Sequence, residues 1–227
     1  MSFTTICENI VMLLREYWHV FLIEGVSYTL LLSVITVFFG AILGSLLALG
    51  KRSRFRLVRG IITAFVEVIR GTPILLQLYF GYFILPMMVP ALNLSAFTSI
   101  CIALVINSSA YVSEVIRSGI QAVDHGQTEA ARSLGLNARQ TMLRIILPQA
   151  VKNILPALGN EFVMMIKETS LASTFFVGEL MTSYLKVKGA TWLNLESLII
   201  VGAIYFVITF TLSKVVAVFE RRMRAGE

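Results

Sequence analysis

Charge is scarce in this chain of 227 residues: Asp, Glu, Lys and Arg supply 14% of it, and hydrophobic residues supply 57%. Soluble domains carry roughly 25% charge, so a soluble globule is excluded and an integral membrane protein is expected. Cysteine is nearly absent. Cys7 and Cys101 have no neighbour at ligand or redox spacing, which leaves both inert. No cluster of His, Cys and carboxylate occurs and no nucleophile stands at a fixed spacing from a base, so no catalytic residue and no metal ligand is assigned. A glycine-rich loop ending in Lys followed by Ser or Thr is also missing, so this chain does not itself hydrolyse ATP. Without an internal repeat or a low-complexity tract, one membrane domain suffices, and a solitary carrier built from inverted repeats finds no support. The start, with Glu8, Arg15 and Glu16, lacks the pattern of a cleaved leader.

What is present is apolar sequence in long runs. Residues 25–49 carry no charge and reach about 37 Å as a helix, more than the ~30 Å hydrocarbon core. Further spans are expected at about 61–85, broken or kinked by Arg70-Gly71-Thr72-Pro73 near the inner surface and closed by Pro86, Pro90 and Asn93 on the far side, and at 97–116, 151–176 and 195–219, with an outer loop over 178–192 between the last two. Ahead of them, Ile10, Leu14, Tyr17, Trp18 and Phe21 recur at helical spacing, so 1–24 is expected to hold an interfacial helix with His19 at headgroup level. The net charge of +6 comes from basic clusters beside apolar runs, which orient a membrane protein rather than bind nucleic acid. Fifteen of the nineteen Lys and Arg then fall on the cytoplasmic side, including Lys51, Arg52, Arg54, Arg56 and Arg59. The expected fold is all-α, with five transmembrane helices, the N-terminus outside and the C-terminus, with its tail 220–227, in the cytoplasm. Gly40 and Gly44 have two readings: a close helix approach, or the ordinary abundance of glycine in membrane helices.

One stretch is polar and helix-prone, Gln121 to Pro148. Asp124 can cap a first helix with Gln127 as its reciprocal partner, Gly135 can end it, and Asn137 can cap a second helix running to Pro148. Glu129, Ala130, Ala131, Gly135, Ile145, Leu147 and Pro148 stand at the spacing EAA, three residues, G, nine residues, then I-x-L-P. This resembles the EAA loop of bacterial ABC importer permeases. Glu67 to Pro73, Asn107 to Gly119, Gln149 to Glu161 and Phe219 to Gly226 are similar to the polar amino acid branch of that family.

The resemblance implies the ABC type I importer transmembrane fold, in a bacterial cytoplasmic (inner) membrane. It also implies that the loop over 118–148 carries a coupling helix with Glu129, Ala130, Ala131, Leu134 and Gly135, seated in a separate ATPase subunit. The implied partners are an ATPase dimer using ATP and Mg, a second permease copy or a similar permease, an extracytoplasmic amino-acid-binding protein, membrane lipid, and a polar amino acid as substrate. No cofactor is expected on this chain. A homodimer is favoured, since one chain has too few helices to enclose a path and carries its own complete loop.

Polar residues within spans must face protein or water, because a charge at bilayer depth costs ~2.5–3.5 kcal/mol. Asn107, Tyr111 and Glu114 share a face of the third span, and Asn160, Met164, Lys167 and Glu168 can line a strip of the fourth. Candidates for the substrate path are Asn160, Glu161, Asn107, Gln77 and Met164. For Asn160 and Glu161 the path reading and a structural one stand level. Lys167 and Glu168 are expected instead as gating or structural pairs, among themselves or with Arg70 and Glu114.

Overall fold

A computed structural model describes residues 2–224 of the chain, and all of the regular structure within them is helical. The expected stretch to Gly226 and the last residues of the tail lie outside the described residues. Helix α1 (Phe3–Trp18) passes through a π-helical turn (His19–Gly25) into α2 (Val26–Gly50). The segment expected as a separate interfacial helix is therefore the first part of one continuous 48-residue helix. Nothing between Trp18 and Val26 breaks helical backbone, and the π turn absorbs the irregularity at Gly25.

The expected second span is divided. Helix α3 (Arg56–Gly71) and helix α4 (Ile74–Met88) meet at 109°. Pro73 forces Thr72 out of the helical region, to ψ 148°, and so ends α3. The carbonyls orphaned there are satisfied by two side chains: the Gln77 amide donates to Ile69 O at 2.7 Å and to Thr72 O at 3.1 Å, and the Thr72 hydroxyl to Val68 O at 2.9 Å. Only α4 descends from this elbow. Pro86, expected to close the span, lies inside α4, which runs on to Met88.

Helix α5 (Ala96–Gln121) is capped by Ser95 and outruns the expected 97–116. The polar stretch then forms α6 (His125–Ser133) and α7 (Ala138–Thr141), and α7 continues through a π turn (Met142–Ile146) into α8 (Leu147–Glu168). Pro148 does not end the second helix. The π turn before it shifts the hydrogen-bond register, so the missing proline N–H is tolerated at the start of α8. A 3-10 segment (Thr169–Phe175) follows, and the expected outer loop 178–192 contains α9 (Leu180–Thr191), packed on the π turn after α1. Helix α10 (Asn194–Arg224) completes the described chain.

Among the described residues, α1–α2, α5 and α10 are each long and apolar enough to cross a membrane, and the α3–α4 pair meets the same test only when taken together. Helix α8 carries the charges noted above.

The bundle is centred on the α2–α5 contact, the most extensive in the fold. Small residues allow it. A Cβ on Gly40 would stand 2.6 Å from Ser108 Oγ, and one on Gly44 would stand 2.7 Å from Val112 Cβ and 2.8 Å from Ser109 O. Of the two readings, close approach is the one realised. Buried hydroxyls follow the same logic, with Ser33 donating to Thr29 O and Ser113 to Ala110 O, so each is satisfied by its own helix. Leu32, Leu78, Ile100, Leu104 and Phe175 fill the core beside this contact, with Cys101 among them. A second cluster, around Leu13, Phe21, Leu180 and Ile200, joins α1, α9 and α10.

Gly44→Val is expected to lose about 1–3 kcal/mol through overpacking against α5. A thermal unfolding series in detergent checks it, with Gly60→Val, where no atom lies within 4 Å of a built Cβ, as the control.

Candidate functional site

The polar stretch is built as a supported lever. The Asp124 carboxylate accepts from Gly126 N at 2.7 Å, but the reciprocal bond expected from Gln127 is absent. Gln127 Oε1 instead accepts from Gln149 Nε2 at 3.3 Å, which ties α6 to the start of α8. Gly135 adopts φ +87°, and Leu136 N donates back to Ala131 O at 3.1 Å, a Schellman stop that only glycine enters freely. A capping box then restarts the helix, with Gln140 N donating to Asn137 Oδ1 and Asn137 N to Gln140 Oε1, both at 2.9 Å. Glu129, Ala130, Leu134 and Gly135 are exposed, Leu134 at 82%, whereas Ala131 is buried against the chain's own helices. The outward face of α6 is thus short-sided and carries one acid, with an apolar tip.

Polar residues of the third span converge on the α3–α4 elbow. Asn107 Nδ2 donates to Gln77 Oε1 at 2.9 Å, the Arg70 guanidinium lies over the Tyr111 ring, and Glu114 collects Lys51 at 2.5 Å, Arg117 at 2.7 Å and Arg70 at 3.7 Å. Arg70 and Glu114, expected as partners of Lys167 and Glu168, pair with each other. Gln77 and Asn107, both path candidates, hydrogen-bond to one another, because the break at Pro73 needs its carbonyls capped and α5 supplies the matching donor. Asn107 is buried.

The fourth span divides its candidates between two faces. Asn160, Met164 and Lys167 are exposed at i, i+4 and i+7, and Lys167 makes no ion pair among the described residues. Glu168 is half-buried beside them. The expected pairing of Lys167 and Glu168 with Arg70 and Glu114 does not occur, since Arg70 and Glu114 are engaged at the elbow. Glu161 turns the other way. Its carboxylate is 6% exposed and accepts from the Ser108 hydroxyl at 3.5 Å, where Gly40 lets α2 and α5 close around it. One residue of helical rotation separates it from the exposed strip, and the sequence alone did not register which side met the bundle.

Two buried carboxylates were not anticipated. Glu179 caps α9, accepting from Met181 N, Thr182 N, Thr182 Oγ1 and the Tyr205 hydroxyl at 2.6–3.1 Å. Burial pushes its carboxyl up, and these donors pull it down. Glu196 accepts from Asn9 Nδ2 at 2.9 Å and ties α10 to α1. The signal for Glu179 was an acid just after Gly178 at a helix start.

A family model of binding-protein-dependent transport system inner membrane components matches residues 40–225. The chain belongs to this family. It is similar to the arginine transport system permease protein ArtQ of Bacillus subtilis (strain 168), at 40% identity over 91% of this chain and 94% of that one. It is also similar to the glutamine transport system permease protein GlnP of Escherichia coli (strain K12), at 36% identity over 89% and 93%. The crystal structure of an amino acid ABC transporter with histidines superposes with a TM-score of 0.88 at 45% identity, over 93% of this chain and 97% of the other. The all-α fold is that of ABC type I importer permeases, and the chain is a multi-pass membrane protein and a permease subunit rather than an enzyme. ATP hydrolysis in such systems resides in a separate ATPase.

Glu114→Gln removes the charge that three cations of the permease share, and is expected to destabilise it by about 1–3 kcal/mol. Chemical-shift or fluorescence-detected unfolding in detergent measures the loss, and Arg70→Ala, the most distant of the three, is expected to cost less than Lys51→Ala.

Proposed function

We propose that this permease forms the path of an ATP-driven importer for a polar amino acid, in a bacterial cytoplasmic membrane, and receives force from its ATPase through α6. The observation that carries the reading is mechanical: α6, a glycine stop, a capping box and α8 form one supported connection from the cytoplasmic loop to the fourth span. A rigid protruding contact is what ATP-driven closure of two ATPase subunits needs in order to move membrane helices. Glu129, Ala130, Leu134 and Gly135 form the contacting surface, and Ala131 holds it to the permease. Transport of arginine and glutamine by similar permeases supports a polar amino acid as substrate.

Five spans fit the charge distribution, with α3 as a cytoplasmic elbow, the N-terminus outside and an amino-acid-binding protein docking on the outer side. Two copies pair around the route, and the α8 strip of Asn160, Met164 and Lys167 faces it. On this reading Lys167, the unpaired cation of the strip, meets the substrate carboxylate, and Asn160 hydrogen-bonds beside it. Glu161 supports α8 from behind rather than touching the amino acid. With ATP bound the ATPases close and the spans open outward; hydrolysis reverses the movement.

Replacing Glu129 and Gly135 together with Ala is expected to lower amino acid uptake by about tenfold or more while the permease still assembles. Full uptake with an intact complex removes the coupling role. Lys167→Met is expected to lower uptake of every amino acid tested, whereas Glu161→Gln leaves substrate preference unchanged; the opposite pattern in competition assays returns Glu161 to the path.

A further inference from the structure

The division of the expected second span leaves α3 with a face that the transport reading does not use. Its two ends converge: Lys51, five residues before it, and Arg70, in its last turn, reach the same Glu114 carboxylate. Its apolar arc is wide. Ile62, Val66 and Ile69 turn toward the bundle, and Leu57, Ile61, Phe65 and Val68 remain exposed, Leu57 at 76% and Ile61 at 61%. The opposite arc is polar, and four arginines, Arg52, Arg54, Arg56 and Arg59, gather at the start of the helix. None of the four forms an ion pair among the described residues. Beneath Phe65 and Ile69 an apolar groove of about 390 Å³ follows α4 and α5 from Gln77 to Met88. Its one polar lining residue, Gln77, has its amide engaged at the elbow and with Asn107.

We propose that α3 seats an anionic phospholipid of the cytoplasmic leaflet, with the lipid phosphate on the unpaired arginines at its start and an acyl chain in the groove below. An amphipathic helix with arginines on one side and Leu, Ile and Phe on the other lies in the interface, and its cations are attracted to acidic headgroups. Guanidinium groups meet phosphate oxygens in a bidentate geometry, and a groove with no free polar group accepts a chain that has none. The seat adjoins the elbow, so an occupied lipid braces the turn that Gln77, Arg70 and Glu114 hold. This assignment stands independently of which amino acid the transporter carries.

The test uses the complete transporter in nanodiscs of phosphatidylcholine with and without phosphatidylglycerol. Native mass spectrometry is expected to show phosphatidylglycerol retained over phosphatidylcholine, with retention weakened about 25-fold in R56Q/R59Q, since each arginine near an acidic surface contributes roughly fivefold. Equal retention of the two lipids, or retention indifferent to R56Q/R59Q, overturns the proposal. A second measurement avoids altered insertion: Phe65→Trp, read against the parent's Trp18 and Trp192, is expected to be quenched more by dibrominated phosphatidylglycerol than by dibrominated phosphatidylcholine. Equal quenching overturns it, as does shielding from both lipids, which is the outcome if a second permease copy or the ATPase covers α3. Amino acid uptake, measured alongside, reports on the transport reading separately.

Discussion

One carboxylate fixes one end of this helix bundle. Glu114 receives Lys51 from the end of α2, Arg70 from the end of α3 and Arg117 from its own helix. Because the first two lie on either side of α3, a helix of about 24 Å is folded back to the level where it began. The elbow, the direction of α4 and the exposure of α3 all follow from that closure. Gln77 completes it by donating to carbonyls that Pro73 leaves open, and Asn107 donates in turn to the Gln77 amide oxygen, as a low-dielectric setting requires.

Within the bundle the governing quantity is distance between backbones. Apolar side chains gain little by leaving lipid for one another, so association depends on close packing, and Gly40 and Gly44 bring α2 against α5 with no space for a methyl group. That contact decides what happens to α8. Its Glu161 face fits behind Ser108 at the narrow point, and the adjoining face, with Asn160, Met164 and Lys167, is left uncovered. An exposed strip of polar and charged groups along a membrane helix calls for protein or water, which is the physical case for a path between two copies.

The polar α6–α7 stretch is continuous with that strip. A helix broken at Pro148 would hinge between the loop and the span, whereas the π turn over Met142–Ile146 keeps the backbone helical across the proline. The backbone is therefore continuously helical from α7 into α8, and the Gln127–Gln149 bond ties α6 to the same junction.

Local chemistry determined much of this in the sequence. Apolar run length against bilayer thickness, the glycine stop at Gly135, the cap at Asn137 and the break before Pro73 each depend on a few neighbouring residues, and each was legible. The shared face of Asn107, Tyr111 and Glu114 was legible too, because helical period fixes it. What only the tertiary structure decided was what each face meets: Gln77 and Asn107 each other, Glu161 the bundle, Lys167 no carboxylate within ion-pair distance among the described residues, and both ends of α3 the one carboxylate of Glu114. The sequence could not register these outcomes, because they depend on a proline break, two glycines and a carboxylate brought together from distant parts of the chain, and helical periodicity carries no record of which neighbour will stand across the gap.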